Sequence, residues 1–252
     1  MRRMEQYDAS YFESTHGNWF RHPHIWLFEM LHARLSRLGP NASILDIGCG
    51  RGDFLRWLRV REPTWTLTGT DLSPNVPESG ITFEQGDILT QPLSQRFDAV
   101  VNLAVIEHVA DIQAFCATLV AHGRPGGTVV IMTNNDSSVV YDIARALNRV
   151  GAPAAFERVY SPHHLNHFTV RSLRTLVESQ GLVVRETVLH NTPLNTVDMP
   201  DAGAVKSAIW KCGVWGAFTL GRLTGKTFMQ TIVCQVPIGT SLPGDHVSAA
   251  SL

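Results

Sequence analysis

The sequence predicts an α/β fold, a mostly parallel sheet with helices on both faces, and three observations carry that reading. Between residues 43 and 133, short apolar runs alternate with amphipathic stretches, the pattern of parallel strands joined by crossover helices. The first run, Ile44-Leu45-Asp46-Ile47, ends in Gly48-Cys49-Gly50-Arg51-Gly52 and passes at once into the amphipathic Asp53-Phe54-Leu55-Arg56-Trp57-Leu58, a strand, tight turn and helix in immediate succession. Farther on, apolar stretches near 182–190 and 228–236 complete a seven-stranded sheet whose last hairpin is antiparallel.

Taken in order, residues 5–38 read as helical, with Ile25, Trp26, Phe28, Leu31, Leu35 and Leu38 forming an apolar stripe at helical spacing. Before it lies the aromatic-rich Tyr7-Asp8-Ala9-Ser10-Tyr11-Phe12. Strands are expected near 43–47, 65–71, 80–84, 96–102 and 127–133. A further helix starts after Thr169, its expected N-cap, and stops at Gly181. Two segments exceed the minimal fold. Residues 136–168 hold a helix from Val139 to Leu147, and residues 191–227 hold a helix from Val205 to Phe218 that is apolar almost all round. The expected organisation is one domain over 1–240, with an N-terminal helical arm over 1–42 and the two insertions forming an acceptor cap. The small, polar residues 241–252 read as a disordered tail.

At 252 residues, 44% hydrophobic and 17% charged, the composition is that of a globular protein with a sizeable core. A formal net charge of −1 argues against a nucleic-acid partner. Cys49, Cys116, Cys212 and Cys234 form no Cys-x-x-Cys pair, so neither a zinc site nor a redox motif is indicated and free thiols are expected. The N-terminal residues lack the apolar core of a signal peptide, and no run approaches the roughly 18 apolar residues of a membrane span; a cytoplasmic protein is expected.

Glycines at alternate positions let the backbone turn and approach a ligand closely. The spacing is Gly-x-Gly-x-Gly rather than the Gly-x-Gly-x-x-Gly of dinucleotide enzymes. The second strand, Leu67-Thr68-Gly69-Thr70-Asp71, ends in an acid 25 residues beyond Asp46, placed to accept hydrogen bonds from ribose hydroxyls; a plain turn role is the alternative. Phe83-Glu84-Gln85-Gly86-Asp87-Ile88 puts another acid after the third strand, suited to an adenine amino group. Arg96-Phe97-Asp98-Ala99-Val100-Val101-Asn102, Ile106-Glu107-His108-Val109 and Arg124-Pro125-Gly126-Gly127-Thr128 follow in order.

This series, over residues 43–189, resembles the class I S-adenosylmethionine (SAM)-dependent methyltransferases, in particular the small-molecule branch related to ubiquinone-pathway O-methyltransferases. The resemblance implies a Rossmann-like sheet and SAM as cofactor, with S-adenosylhomocysteine as product. It implies a SAM site formed by Asp46, Gly48, Gly50, Asp71, Leu72, Asp87, Ile88, Asn102, Leu103 and His108, with Leu72 and Ile88 sandwiching the adenine. It also implies that the aromatic arm near Tyr7 folds over that site; simple packing on the sheet is an equal alternative.

A hydroxyl acceptor needs its proton removed, and histidine is suited to the task near neutral pH. His163, His164 and His167 cluster before the Thr169-capped helix, and the base is expected among them rather than at His108. If their segment is helical, His163 and His167 share a face. Glu107-His108 with a later histidine also resembles the divalent-metal site of some ubiquinone-pathway enzymes and of small-RNA 3′-end methyltransferases. Those carry Glu-x-x-Glu-His, and here the first Glu position is Ala104. Loss of a hard oxygen ligand weakens such a site, so no metal is expected. The expected function is SAM-dependent methylation of a small biosynthetic acceptor, at oxygen. The alternatives are a metal-assisted RNA 2′-O-methyltransferase and a SAM-binding protein without transferase activity. For the apolar 203–223 stretch, an acceptor cap or homodimer contact ranks above peripheral membrane contact.

Overall fold

The computed structural model describes residues 22–74, 78–197 and 204–238 of the chain. The aromatic arm around Tyr7 and the tail over 241–252 lie outside the described residues.

Seven strands form one sheet in the order β3-β2-β1-β4-β5-β7-β6. They are β1 (Ser43–Ile47), β2 (Thr66–Asp71), β3 (Ile81–Gln85), β4 (Phe97–Leu103), β5 (Gly123–Asn134), β6 (Val183–His190) and β7 (Met229–Gln235). The first five strands pair in parallel, and β7 runs antiparallel to both β5 and β6. Ile44, Leu45, Val100, Val101, Val130 and Ile131 are wholly buried, as strands covered on both faces require.

The helices are α1 (Ile25–Leu35), α2 (Asp53–Arg61), α3 (Ile112–His122), α4 (Val139–Arg149), α5 (Ala154–Val159), α6 (Val170–Ser179) and α7 (Ala204–Thr224). One sheet face is covered by α1 and α2 through Leu27, Leu31, Leu35, Phe54, Leu55 and Leu58. The other is covered by α3 and α6 through Phe115, Cys116, Leu119, Leu173 and Val177. Within α1 the buried residues are Leu27, Phe28, Met30, Leu31 and Leu35. Of the expected stripe, Phe28, Leu31 and Leu35 are buried and Leu38 packs against the same core, whereas Ile25 and Trp26 stand exposed at the helix start. His24 caps the helix, its Nδ1 accepting from the Leu27 N–H at 3.2 Å.

Thr169 caps α6 as expected. Its hydroxyl accepts from Ser172 N–H at 3.0 Å, and Ser172 Oγ accepts from Thr169 N–H at 2.9 Å, a reciprocal capping box. Gly181 lies just past the helix with φ +83°, the left-handed conformation that favours glycine there. The insertions contain more helix than the sequence pattern suggested: α5 is additional, and α7 extends six residues past Phe218. None of the four cysteines is in a disulfide, and among the described residues no helix is long and apolar enough to cross a membrane.

Candidate active site

The carboxyl ends of the parallel strands form one rim, where open α/β sheets receive ligands. At β1 the chain turns through Gly48, Gly50 and Gly52 at φ +72°, +53° and +76°. The Gly48 and Cys49 N–H groups donate to Thr70 O at 2.8 and 3.0 Å. A Cβ at Gly48 would collide with the Val105 side chain, so both the backbone conformation and the space demand glycine.

Asp71, at the end of β2, clasps this turn. One carboxylate oxygen accepts from Gly50 N–H at 2.8 Å and the other from Ser73 N–H at 2.9 Å. The turn role and a ligand role are thus not exclusive: each oxygen keeps a lone pair after these bonds. Leu72 beside it is 43% exposed. Asp87 accepts from Leu89 N–H at 2.9 Å through Oδ1, leaving its second oxygen for another donor. Ile88 belongs to the core around Phe97 and Leu119 and borders a small cavity with Thr70, Gly86 and Gln91. It therefore offers an edge, in contrast to the open side chain of Leu72.

Asp46 is 2% exposed, and its Oδ1 has no hydrogen-bond partner. Burial, and secondarily the negative charge of Asp71, push its carboxyl up to about 8. Beside it Asn102 donates through Nδ2 to Ile47 O at 3.0 Å while its Oδ1 is buried without a partner. Leu103 ends β4 half-buried. Among the described residues neither buried oxygen under this glycine turn has a partner, and such groups call for one. An ammonium-bearing ligand such as SAM fits that need.

After β4, Ala104 adopts φ +57° and leads into a short 3-10 turn, Ile106–His108. Glu107 is 2% exposed. Its Oε2 accepts from Thr133 Oγ1 at 2.8 Å, yet burial raises its carboxyl to about 7. His108 donates through Nδ1 to His163 O at 2.9 Å; a carbonyl only accepts, so that nitrogen carries a hydrogen. The His164 ring lies 4.9 Å from that of His108, edge to face. One ligand atom from each of Glu107, His108 and His164 falls within 4.8 Å of the others.

The histidine segment is held there by Asn166. Its Nδ2 donates to Val109 O at 2.6 Å and its N–H to Glu107 O at 3.0 Å. Phe168 O is held in turn by Gln230 Nε2 at 2.9 Å and by Asp136 N–H at 2.9 Å. Residues 163–169 form a turn followed by irregular chain, so the helical spacing of His163 and His167 does not place them on one face. The cross-links of Asn166 and Phe168 override it. Of the three clustered histidines, His164 meets His108, His163 contributes its backbone carbonyl, and His167 packs against Tyr160 at 4.6 Å. Burial lowers the His167 pKa, partly offset by Asp136.

Sequence reasoning did not single out Thr133, Tyr141, Asp136, Tyr160 or Arg145. Tyr160 Oη donates to Asp136 at 2.7 Å, and Arg145 donates to both Asp136, at 3.1 Å, and Tyr160 Oη, at 2.7 Å. Tyr141 is fully buried against Tyr160 and Phe228. The polar Thr133 at the end of an apolar strand was the one signal available; the others depend on how the insertion folds back.

The family described as methyltransferase domain matches residues 9–187 of this chain. A ubiquinone biosynthesis O-methyltransferase of Methylobacterium sp. (strain 4-46) is 32% identical over 170 residues, 60% of this chain and 65% of that protein. A trans-aconitate 2-methyltransferase of Deinococcus radiodurans is 35% identical over 99 residues, 36% of this chain and 38% of that protein. The chain thus spans 38–65% of the length of these two relatives. Among solved structures, a SAM-dependent methyltransferase from Archaeoglobus fulgidus aligns with TM-score 0.53 at 18% identity, covering 89% of this chain and 97% of that one. Geranyl diphosphate C-methyltransferase from Streptomyces coelicolor aligns with TM-score 0.58 at 16% identity, covering 90% and 84%. At such identity these two likenesses show the fold alone. Motif order, sheet topology and the match over most of its length agree: this chain belongs to the methyltransferase-domain family, as a class I SAM-dependent methyltransferase related to the ubiquinone-pathway O-methyltransferases.

Proposed function

We propose that this chain methylates a hydroxyl oxygen of a small-molecule acceptor bound over the carboxyl ends of β4 and β5. The observation that carries the reading is the meeting of Glu107, His108 and His164 at that rim, adjacent to the glycine turn of β1. When bound, SAM supplies an electrophilic methyl group for in-line displacement. The protein's own contributions follow from its geometry. The turn over residues 48–52 yields space for a ligand, and Asp71 offers its free lone pairs to ribose hydroxyls. Asp87 serves the adenine edge, and Asp46 and Asn102 receive an ammonium group. Leu72 and Ile88 flank the base, the first with its face and the second with its edge. His164, its ring edge to face with that of His108, removes the acceptor proton. Asn166 holds the histidine segment against the turn, and His167 acts as a packing partner of Tyr160. The two insertions cap the acceptor side.

A second reading, divalent-metal assistance, draws support from the 4.8 Å clustering of three ligand atoms. Against it, Ala104 replaces a carboxylate, which removes a hard oxygen ligand, and Oε2 of Glu107 is engaged by Thr133. The metal-free reading is therefore the one proposed. The experiment is release of S-adenosylhomocysteine, followed against a panel of hydroxylated acids and phenols, with amines as the comparison set. Turnover confined to amines would replace oxygen with nitrogen as the target.

A further inference from the structure

We propose that Asp136, Tyr160 and Arg145 are positioning residues that hold the histidine segment so that His164 stays at the turn after β4. The proposal rests on the reading of His164 as the base. The segment leaves α5 at Val159 and enters α6 at Val170, and both of its ends are tied to one residue. At the start, Tyr160 Oη donates to Asp136 Oδ1 at 2.7 Å. At the end, Phe168 O accepts from Asp136 N–H at 2.9 Å. Asp136 lies just beyond β5, whose Thr133 donates to Glu107 at 2.8 Å. The two ends of the segment and the Glu107 turn are therefore all fixed to the same strand end.

The tie at Tyr160 is a closed set of bonds. Arg145, on α4, donates through Nη1 to Asp136 Oδ1 at 3.1 Å and to Tyr160 Oη at 2.7 Å, and through Nη2 to the Asp136 carbonyl at 3.1 Å. The phenol oxygen thus accepts from a guanidinium and gives its proton to a carboxylate, so its direction is set by two charge-assisted bonds. Phe156 stacks on the Tyr160 ring at 4.3 Å, and the His167 ring lies 4.6 Å from it. Tyr141 Oη secures the preceding residue by donating to Val159 O at 3.1 Å. Asn166 pins the middle of the segment to Glu107 O and Val109 O. Residues 161–167 have no helix or strand of their own, so these ties must offset the conformational entropy of ordering them. Their importance for catalysis lies in geometry, since a shift of about 1 Å at a reacting group can cost about 10²-fold in rate.

Tyr160→Phe cuts one tie alone: the ring packing stays, and Arg145 still pairs with Asp136. Asp136→Ala removes the acceptor, whereas Asp136→Asn keeps an oxygen in its place. In isotope-labelled full chain, the nuclear Overhauser contact between the rings of His108 and His164, whose centroids are 4.9 Å apart, reads the position of the base without turnover. Its loss in His164→Gln assigns it. The contact should persist in wild type and Asp136→Asn and vanish in Tyr160→Phe and Asp136→Ala, with SAM affinity unchanged. Amide hydrogen exchange over 161–167 should quicken in the same two variants while β4 and β5 keep their wild-type protection. In S-adenosylhomocysteine release with the panel of hydroxylated acids and phenols, Tyr160→Phe should lower kcat by about ten- to hundredfold and leave the acceptor KM within about twofold. An unchanged ring contact and unchanged exchange in Tyr160→Phe would overturn the proposal, as would a wild-type kcat. So would faster exchange across the whole sheet together with a raised KM and weaker SAM binding, because the network would then support the fold and nothing more. Wild-type turnover in His164→Gln would overturn the base reading and the proposal with it. The ring contact and the exchange, which need no turnover, tell the two failures apart.

Discussion

Asp46 gives the sharpest test of the cofactor site. It is buried without a hydrogen bond to Oδ1 and its pKa is pushed from 3.8 to about 8, so below pH 8 the free protein holds this carboxyl neutral. An ammonium ligand favours the ionised form, so binding at lower pH must first expel the proton. At about 1.36 kcal/mol per pH unit, that cost is roughly 3 kcal/mol at pH 6 and vanishes above pH 8. SAM affinity should therefore rise about tenfold per unit between pH 6 and 8 and then level off. Asp46→Asn removes the charge. It should cost about 1.5–3 kcal/mol of affinity at pH 8.5 and much less at pH 6, where the wild type has lost its advantage. The stability of the ligand-free protein carries the opposite sign. A carboxyl with a raised folded-state pKa binds more protons folded than unfolded, so its contribution is present at low pH and is lost as pH rises from about 4 to about 8. Raising a buried carboxyl from 3.8 to about 8 corresponds to on the order of 5 kcal/mol over that window. Glu107, raised to about 7, acts in the same direction. Titration calorimetry across pH 6–9, with thermal melts of the ligand-free protein, measures both. A wild-type affinity flat from pH 6 to 8, or Asp46→Asn binding SAM like the wild type at pH 8.5, would refute the reasoning.

Three further outcomes follow from the same site. Asp71→Ala removes both the ribose acceptor and the clasp on Gly50 and Ser73. SAM affinity should fall about tenfold or more and the melting temperature should drop, and calorimetry that finds affinity unchanged would remove Asp71 from the cofactor site. His164→Gln should leave SAM binding intact while lowering turnover by about 10²–10⁴-fold, whereas His163→Gln, whose backbone carbonyl does the holding, should retain turnover. Equal turnover for His164→Gln and wild type would mean that no base acts there. Exhaustive chelation should leave activity in place and elemental analysis should find no stoichiometric divalent ion; activity restored only by magnesium or manganese would establish the metal-assisted reading.

The sheet was readable because its strands are consecutive apolar residues and its turns are marked by glycine, and such patterns need no knowledge of distant contacts. The seven strands fall within a few residues of expectation, including the antiparallel last hairpin. In the α1 stripe Phe28, Leu31 and Leu35 are buried as expected, while Ile25 and Trp26 are exposed. The short α5 was missed because six residues carry too little periodicity to register. At the site, the glycine turn, Asp46, Asp71 and the Glu107-His108 pair were visible as residue types placed after strands. The choice among the histidines was not.

What the sequence by itself determined was therefore the family, the fold and the strand ends that form the rim, because each rests on local order: an apolar run, a glycine, an acid at the next position. The tertiary structure alone decided which groups meet. His108 reaches His163 across 55 residues and Asn166 reaches Val109 across 57. Those hydrogen bonds, rather than the three- or four-residue spacing, bring His164 to Glu107. Burial likewise set the protonation of Asp46 and Glu107, because removing a carboxylate from water disfavours its charge, and how far each is removed depends on strands and helices that the local sequence does not contain.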